Sequence, residues 1–245
     1  MAEHNVKGII LAGGTGSRLA PLTNVTNKHL LPVGKQPMIY YPVKKLIQAG
    51  ILDILIVTGK EHMGSVVSLL GSGADMGCRF TYRVQDEAGG IAQALLLAEN
   101  FTHGEPMVVI LGDNIFQDSL AGAVQDFCNA GALGAHLLVK QVHDPERFGV
   151  ATIDGDRIVK IEEKPSDPKS NMIVTGIYMY DTQVFDYIRE CTPSGRGELE
   201  ISDVNQHYVA QSKVQFSELS GWWTDAGTFD SLTRAAELVK TQPIA

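Results

Sequence analysis

The stretch GIILAGGTGSRLAPLT, residues 8–23, decides the fold. Its first part, Gly8–Ala12, is an apolar run of the kind buried on both faces of a parallel sheet. Gly13, Gly14 and Gly16 follow, where backbone N–H groups can approach an anion because no Cβ stands in the way. The dinucleotide fingerprint G-x-G-x-x-G would need glycine where Leu19 stands. The P-loop needs Gly-Lys followed by Ser or Thr, and this loop has Gly16, Ser17 and Arg18. Both machines are excluded by their own criteria. What remains is Arg18, whose guanidinium can fork two N–H donors onto phosphate oxygens. A tight strand-exit turn with a surface arginine is the plainer alternative.

The sequence on either side sets the class. Strands are predicted at Gly8–Ala12, Ile54–Thr58, Phe80–Val84, Met107–Leu111 and Ala135–Val139, alternating with helices at about Met38–Gln48, His62–Leu70, Ile91–Glu99 and Ser119–Asn129. That cadence is the mark of right-handed βαβ units, hence an α/β, Rossmann-like three-layer sandwich with a mostly parallel central sheet. Ligands in such sheets bind at the carboxyl ends of strands, where the loops after Leu11 and Leu111 fall. After Gly149 the cadence changes to a hairpin through Asp154-Gly155, a type I′ turn signal, and this hairpin is expected to cover part of the crevice. Further elements follow: a strand in NMIVTGIYMYD (171–181), a strand at Val214–Leu219, and helices near Thr182–Glu190, Ile201–Gln211 and Phe229–Thr241. No linker separates the halves, so residues 1–245 read as one domain.

Composition narrows the function. With 44% hydrophobic and 20% charged residues the chain has the balance of a folded globular protein rather than a disordered one. No apolar run is long enough to cross a bilayer, and the opening MAEHNVKG lacks the hydrophobic block of a signal peptide. A net charge of −8 argues against a general nucleic-acid binder. Cys78, Cys128 and Cys191 form neither a disulfide framework nor a zinc pattern, so a reducing, cytoplasmic setting is expected.

Several other residues are candidates for chemistry. In VVILGDN (108–114) a buried strand delivers Asp113 to the crevice. A carboxylate there is costly unless it meets a cation, and Mg²⁺ favours one or two carboxylates plus phosphate oxygens. Asp225, in GWWTDAGTFDSL (221–232), is a second such carboxylate, although helix capping is the ordinary role for either aspartate. Lys28 stands ahead of an apolar block, with His29 beside it, which reads as a packing histidine more readily than as an acid/base group. Glu163 and Lys164 end a strand before Pro165; regular alternation sends them to opposite faces, and only a terminal bend turns both toward the crevice. Gln85 could pair with the amide edge of a base, with Gly89-Gly90 letting the base lie against backbone.

Taken together, GIILAGGTGSRLAPLT, KHLLPVGKQPMIYYP, VQDEAGGIAQAL, LGDNIF, DPERFGV, EEKPSDPKSN, VTGIYMYD, GRGELEISDVN and WTDAGTFDSL resemble, in that order, the sugar-nucleotide pyrophosphorylases. The resemblance spans nearly the whole chain and is strongest to members that join dTTP to glucose 1-phosphate. It implies a nucleotide site at Leu11, Gly13, Gly14, Thr15, Gly16, Gln85 and Gly90, with Arg18 and Lys28 on the phosphates. It implies Mg²⁺ on Asp113 and Asp225. Gly149, Glu163 and Val174 would line the sugar pocket, with Lys164 and Arg196 on the sugar's phosphate. Homo-oligomers are usual in that family. His29 stands where glutamine is usual, and Phe148 replaces a common tyrosine, removing a hydroxyl beside the sugar. The chain stops at Ala245, where longer members add a helical extension for feedback inhibition, so that control is expected to be absent or altered. Alternatives are a uridylyl- or cytidylyltransferase for a related hexose 1-phosphate, or a nucleotide-sugar sensor. A sensor should have lost Arg18, Lys28, Asp113 or Asp225, and all are present.

Overall fold

Strand Lys7–Ala12 lies inside a nine-stranded sheet, between Asp53–Gly59 and Met107–Leu111 and parallel to both. The computed structural model describes residues 5–242 and 244. The first four residues, read above as part of an opening without a hydrophobic block, lie outside the described residues, as does the terminal Ala245.

The three layers follow from alternation along that strand. Ile9 and Leu11 enter one core with helices Ile91–Leu96, Val184–Glu190 and Ile201–Ala210. Ile10 and Ala12 enter the opposite core with helices Tyr40–Gln48, Met63–Leu70 and Ala121–Asn129. Arg79–Gln85 extends the parallel set beyond Asp53–Gly59. On the other side Met172–Tyr180 runs antiparallel to Met107–Leu111 and carries both Ala135–Gln141 and Gly149–Asp154. A register shift between Val174 and Tyr178 accompanies the change of neighbours. Within this sheet only Met172–Tyr180 and Arg157–Glu163 run against the common direction. The hairpin Gly149–Asp154/Arg157–Glu163 is the edge of the main sheet, and its open ends, Gly149 and Glu163, face the crevice.

Differences from the sequence reading are local. The helix expected over 91–99 breaks at Leu96 and resumes as Glu99–Thr102. The helices expected from Met38, His62 and Ser119 begin at Tyr40, Met63 and Ala121. Strand Ala135–Gln141 runs two residues further than expected. Two short strand pairs went unread: Pro32–Val33 with Gln36–Pro37, and Asn114–Phe116, which pairs antiparallel with Trp223–Asp225. Strands this short cannot show a period, yet the second pair joins the two aspartates of interest. Helix Phe229–Thr241 then covers it, in a small core with Ile115 and Ala226.

Candidate active site

Apart from Gly89, every site residue named from the sequence lines one cavity of about 600 Å³ at the carboxyl ends of the parallel strands. The glycine loop opens it. Gly16 has φ +68°, and its carbonyl accepts the Thr23 hydroxyl at 2.8 Å. The chain then makes one 3₁₀ turn, Ser17–Leu19, which buries Leu19 and leaves Arg18 exposed beside Gly227 and Asp225. Gly13 faces Gln85, and a Cβ at 13 would collide with Gln85 Oε1. The Gln85 amide is turned by its Nε2 group, which donates to Gln93 Oε1 at 2.8 Å and to the Gly90 carbonyl at 3.3 Å.

Lys28 sits on a further 3₁₀ turn, Lys28–Leu30, anchored by buried Asn27. The Asn27 amide donates to the Ala12 carbonyl at 3.1 Å and caps the turn by accepting the His29 backbone N–H at 2.8 Å. Lys28 Nζ thereby meets Asp113 Oδ2 at 2.5 Å, with both side chains seven-eighths or so buried, at 13% and 12% exposure. Burial pushes the Asp113 acid up, but the Lys28 charge and hydrogen bond, with His29 and the Asn114 amide, together reverse this and hold it below the usual carboxylate range. His29 packs under Gly112, where a Cβ would strike its ring. Burial, reinforced by the Lys28 charge, lowers its pKa to about 3, so it is a neutral packing group.

Asn114 ties the centre together. Its Nδ2 donates to Asp113 Oδ1 at 3.1 Å, while its Oδ1 accepts Trp223 Nε1–H at 2.8 Å and Gly176 N–H at 2.9 Å. Gly176 must be glycine, since a Cβ would press on Asn114 and Leu111. The Ala226 N–H donates to the Asp113 carbonyl at 2.8 Å, so the two aspartate strands are held side by side. Asp225 has no capping duty: Thr228 caps the following helix in a reciprocal pair with Ser231. Its acid is pushed up by burial and by the Asp113 charge, with Arg147, Arg18 and Lys28 pulling it back. Two buried carboxylates that repel each other fit a hard dication taking its other ligands from phosphate and water. Among the described residues no larger cluster of His, Cys, Asp or Glu could hold a metal.

At the far end Glu163 is a hub. Its Oε2 accepts the Ser202 hydroxyl at 2.6 Å, and its Oε1 meets Lys164 Nζ at 3.0 Å and Arg196 at 3.2 Å. The terminal bend is present: Lys164 has φ +42° and its N–H donates to the Phe148 carbonyl, so neighbours in sequence share one cavity. Gly149 allows Ser202 to approach, Val174 closes the wall, and Arg196 is braced by Glu200 at 2.8 Å. Phe148 meets the Trp223 ring edge-on at 5.5 Å and lies under the Arg147 guanidinium, itself 3.3 Å from Asp225.

Cationic and anionic side chains are interleaved in this cavity. Arg18, Lys28, Arg147, Lys164 and Arg196 share the cavity with Asp113, Glu163, Glu198, Glu200 and Asp225. Arg147, Asn27, Asn114, Gln93 and Ser202 carry contacts that the sequence reading did not assign. Arg147 and Ser202 lay inside quoted motifs, DPERFGV and GRGELEISDVN, and Asn114 directly follows Asp113, so position within a motif was the available signal.

A charged cavity at the carboxyl ends of the strands of a doubly wound sheet is where Rossmann-like proteins bind their ligands. The family model for nucleotidyl transferases matches residues 7–242, and the chain belongs to that family. A glucose-1-phosphate thymidylyltransferase of Neisseria meningitidis is 44% identical over 239 residues, covering 96% of this chain and 83% of that one. The protein of that name from Mycobacterium tuberculosis is 40% identical over 240 residues, with the same coverage of both. A crystal structure assigned as a glucose-1-phosphate thymidylyltransferase from Bacillus anthracis, in complex with a sucrose, superimposes with a TM-score of 0.93 at 60% identity, covering 98% of this chain and 97% of that one. Among the described residues no helix is long and apolar enough to cross a membrane.

Proposed function

We propose that residues 1–245 work as one nucleotidyltransferase unit that transfers dTMP from dTTP to glucose 1-phosphate, giving dTDP-glucose and pyrophosphate. One observation carries the reading. A single cavity has the Gly13–Arg18 loop and Gln85 at one end, Gly149, Glu163, Lys164, Val174 and Arg196 at the other, and Lys28, Asp113 and Asp225 between them. The names of the relatives supply the two substrates.

In this reading the backbone from Leu11 through Gly13, Gly14, Thr15 and Gly16 holds the nucleotide, and Gln85 with Gly90 reads the thymine edge. Arg18 and Lys28 neutralise the triphosphate. Lys164 and Arg196 hold the sugar's phosphate, while Gly149, Glu163 and Val174 fit the hexose. A phosphate oxygen of glucose 1-phosphate attacks the α-phosphorus in line; that P–O bond forms as the bond to the β-phosphate breaks, and pyrophosphate leaves opposite. The attacking phosphate is already anionic at neutral pH, so no general base is required, which agrees with a neutral His29. The barrier is the meeting of two polyanions, and cations held in place by carboxylate partners lower it without reorganising. Asp113 and Asp225 would hold Mg²⁺, which when bound offsets charge on the triphosphate.

The test is pyrophosphate release at steady state with dTTP, UTP, CTP and GTP, each against a panel of hexose 1-phosphates. The expected maximum of kcat/KM is dTTP with glucose 1-phosphate. A clear preference for CTP or GTP would overturn the thymidylyl assignment.

A further inference from the structure

Asn205 lies on helix Ile201–Ala210, one turn beyond Ile201 and Ser202, and lines the same cavity. It is 0% exposed. Its Oδ1 accepts the Tyr180 hydroxyl at 2.5 Å, and Tyr180 is itself fixed in a stack between Tyr178 and Tyr208. The amide is therefore held firmly at one end. At the other end Nδ2 has no hydrogen-bond partner among the described residues. Turning the amide over moves the unpaired atom to Oδ1 without curing it, because Tyr180 brings one hydroxyl only. Buried amide donors are paired in nearly all native proteins, and an unmade bond costs more than a typical made one contributes. An apolar residue of similar volume would avoid that cost, so the donor calls for a partner from the cavity.

The neighbouring groups say what kind. Ser202 already donates to Glu163, and Lys164 and Arg196 are committed to carboxylates. A phosphate would be drawn to those cations. A hexose hydroxyl both donates and accepts; Glu163 offers it an acceptor, and Asn205 offers an uncommitted neutral donor. We propose that Asn205 is a specificity-determining residue for the sugar, its Nδ2 donating to one hydroxyl oxygen of the hexose held beside Glu163. This inference rests on the reading of that end of the cavity as the sugar-phosphate site.

The experiment compares wild type with Asn205→Leu, which keeps the size but removes the donor, and with Asn205→Ala. Each is assayed with dTTP and glucose 1-phosphate, then with the 2-, 3-, 4- and 6-deoxy analogues of glucose 1-phosphate. Both variants should lose about tenfold in kcat/KM for glucose 1-phosphate, the scale of one hydrogen bond, with the KM for dTTP unchanged. Against one analogue the loss should vanish, because the hydroxyl is gone from the substrate as well. Tyr180→Phe keeps the donor and should retain the wild-type ranking of analogues. Equal losses against every analogue, or an equal shift in the KM for dTTP, would overturn the assignment and leave Asn205 a structural role. If the variants do not fold, the side-chain amide signals of ¹⁵N-labelled wild type decide: glucose 1-phosphate should shift the Asn205 pair, and an unshifted pair overturns the proposal. A folded wild type that does not turn over glucose 1-phosphate would instead overturn the functional reading, and this assignment with it.

Discussion

At the end of the cavity proposed for the nucleotide Gly13, Gly14 and Gly16 present backbone, with the side chains of Gln85 and Arg18 beside them. At the end proposed for the sugar Glu163 is shared by Ser202, Lys164 and Arg196, and Arg196 is shared again with Glu200. The first end is a shape made by omitting Cβ atoms, and the second is a network of charges. A shape is spoiled by adding one methyl group, whereas a network loses a partner and keeps the rest. The two ends should therefore respond differently to substitution, and the Lys28–Asp113–Asp225 centre that joins them should respond most.

Asp113→Asn and Asp225→Asn act on that centre and are expected to lower kcat on the order of a thousandfold. Melting temperature should change little for Asp225→Asn, since Asn114 and the paired strands hold the backbone, whereas Asp113→Asn also leaves the buried Lys28 ammonium without its counter-charge and should lower it. Near-normal turnover of either variant would remove that residue from the proposed metal site. Gly13→Ala comes next. Its methyl group must displace Gln85, so the KM for dTTP should rise about tenfold and the preference for dTTP over CTP should fall, with the KM for glucose 1-phosphate unchanged. An unaltered nucleotide KM would mean that Gln85 does not read the base. Lys164→Ala should be milder, because Arg196 remains: about a fivefold rise in the KM for glucose 1-phosphate and none for dTTP. Parallel rises in both would show that the ends are not separable.

His29→Gln is the smallest effect and is seen in stability alone. The folded histidine resists protonation down to about 3, against 6.5 for an ordinary one. Between those values, as pH falls, the unfolded chain takes up a proton that the folded chain does not, so this residue's contribution is lost on acidification. The glutamine variant should lose less stability than wild type from pH 6.5 downward, followed as melting temperature against pH. Coincident curves would contradict the assignment of His29 as a buried neutral group.

Much of this was legible because local rules coincide with global ones. The apolar run Gly8–Ala12 is a central strand, the glycines that follow it do shape the cavity, and helix Phe229–Thr241 begins and ends where its pattern does. The sugar end was harder. Whether Glu163 and Lys164 share a face depends on one residue's backbone angle, the +42° at Lys164, which no alternation rule contains. Asn114 was illegible for another reason: its partners, Gly176 and Trp223, are 62 and 109 residues away. A short polar side chain says nothing about distant donors until the fold brings them together. Asp225 shows the converse, since its capping alternative fell only once Thr228 was seen to cap the helix.

The most direct measurement is a ³¹P NMR spectrum of the purified chain with dTTP, glucose 1-phosphate and Mg²⁺. The account expects dTDP-glucose and pyrophosphate to grow in equal amounts as both substrates fall. Hydrolysis of dTTP without a sugar nucleotide, or no consumption by a folded protein, would contradict it.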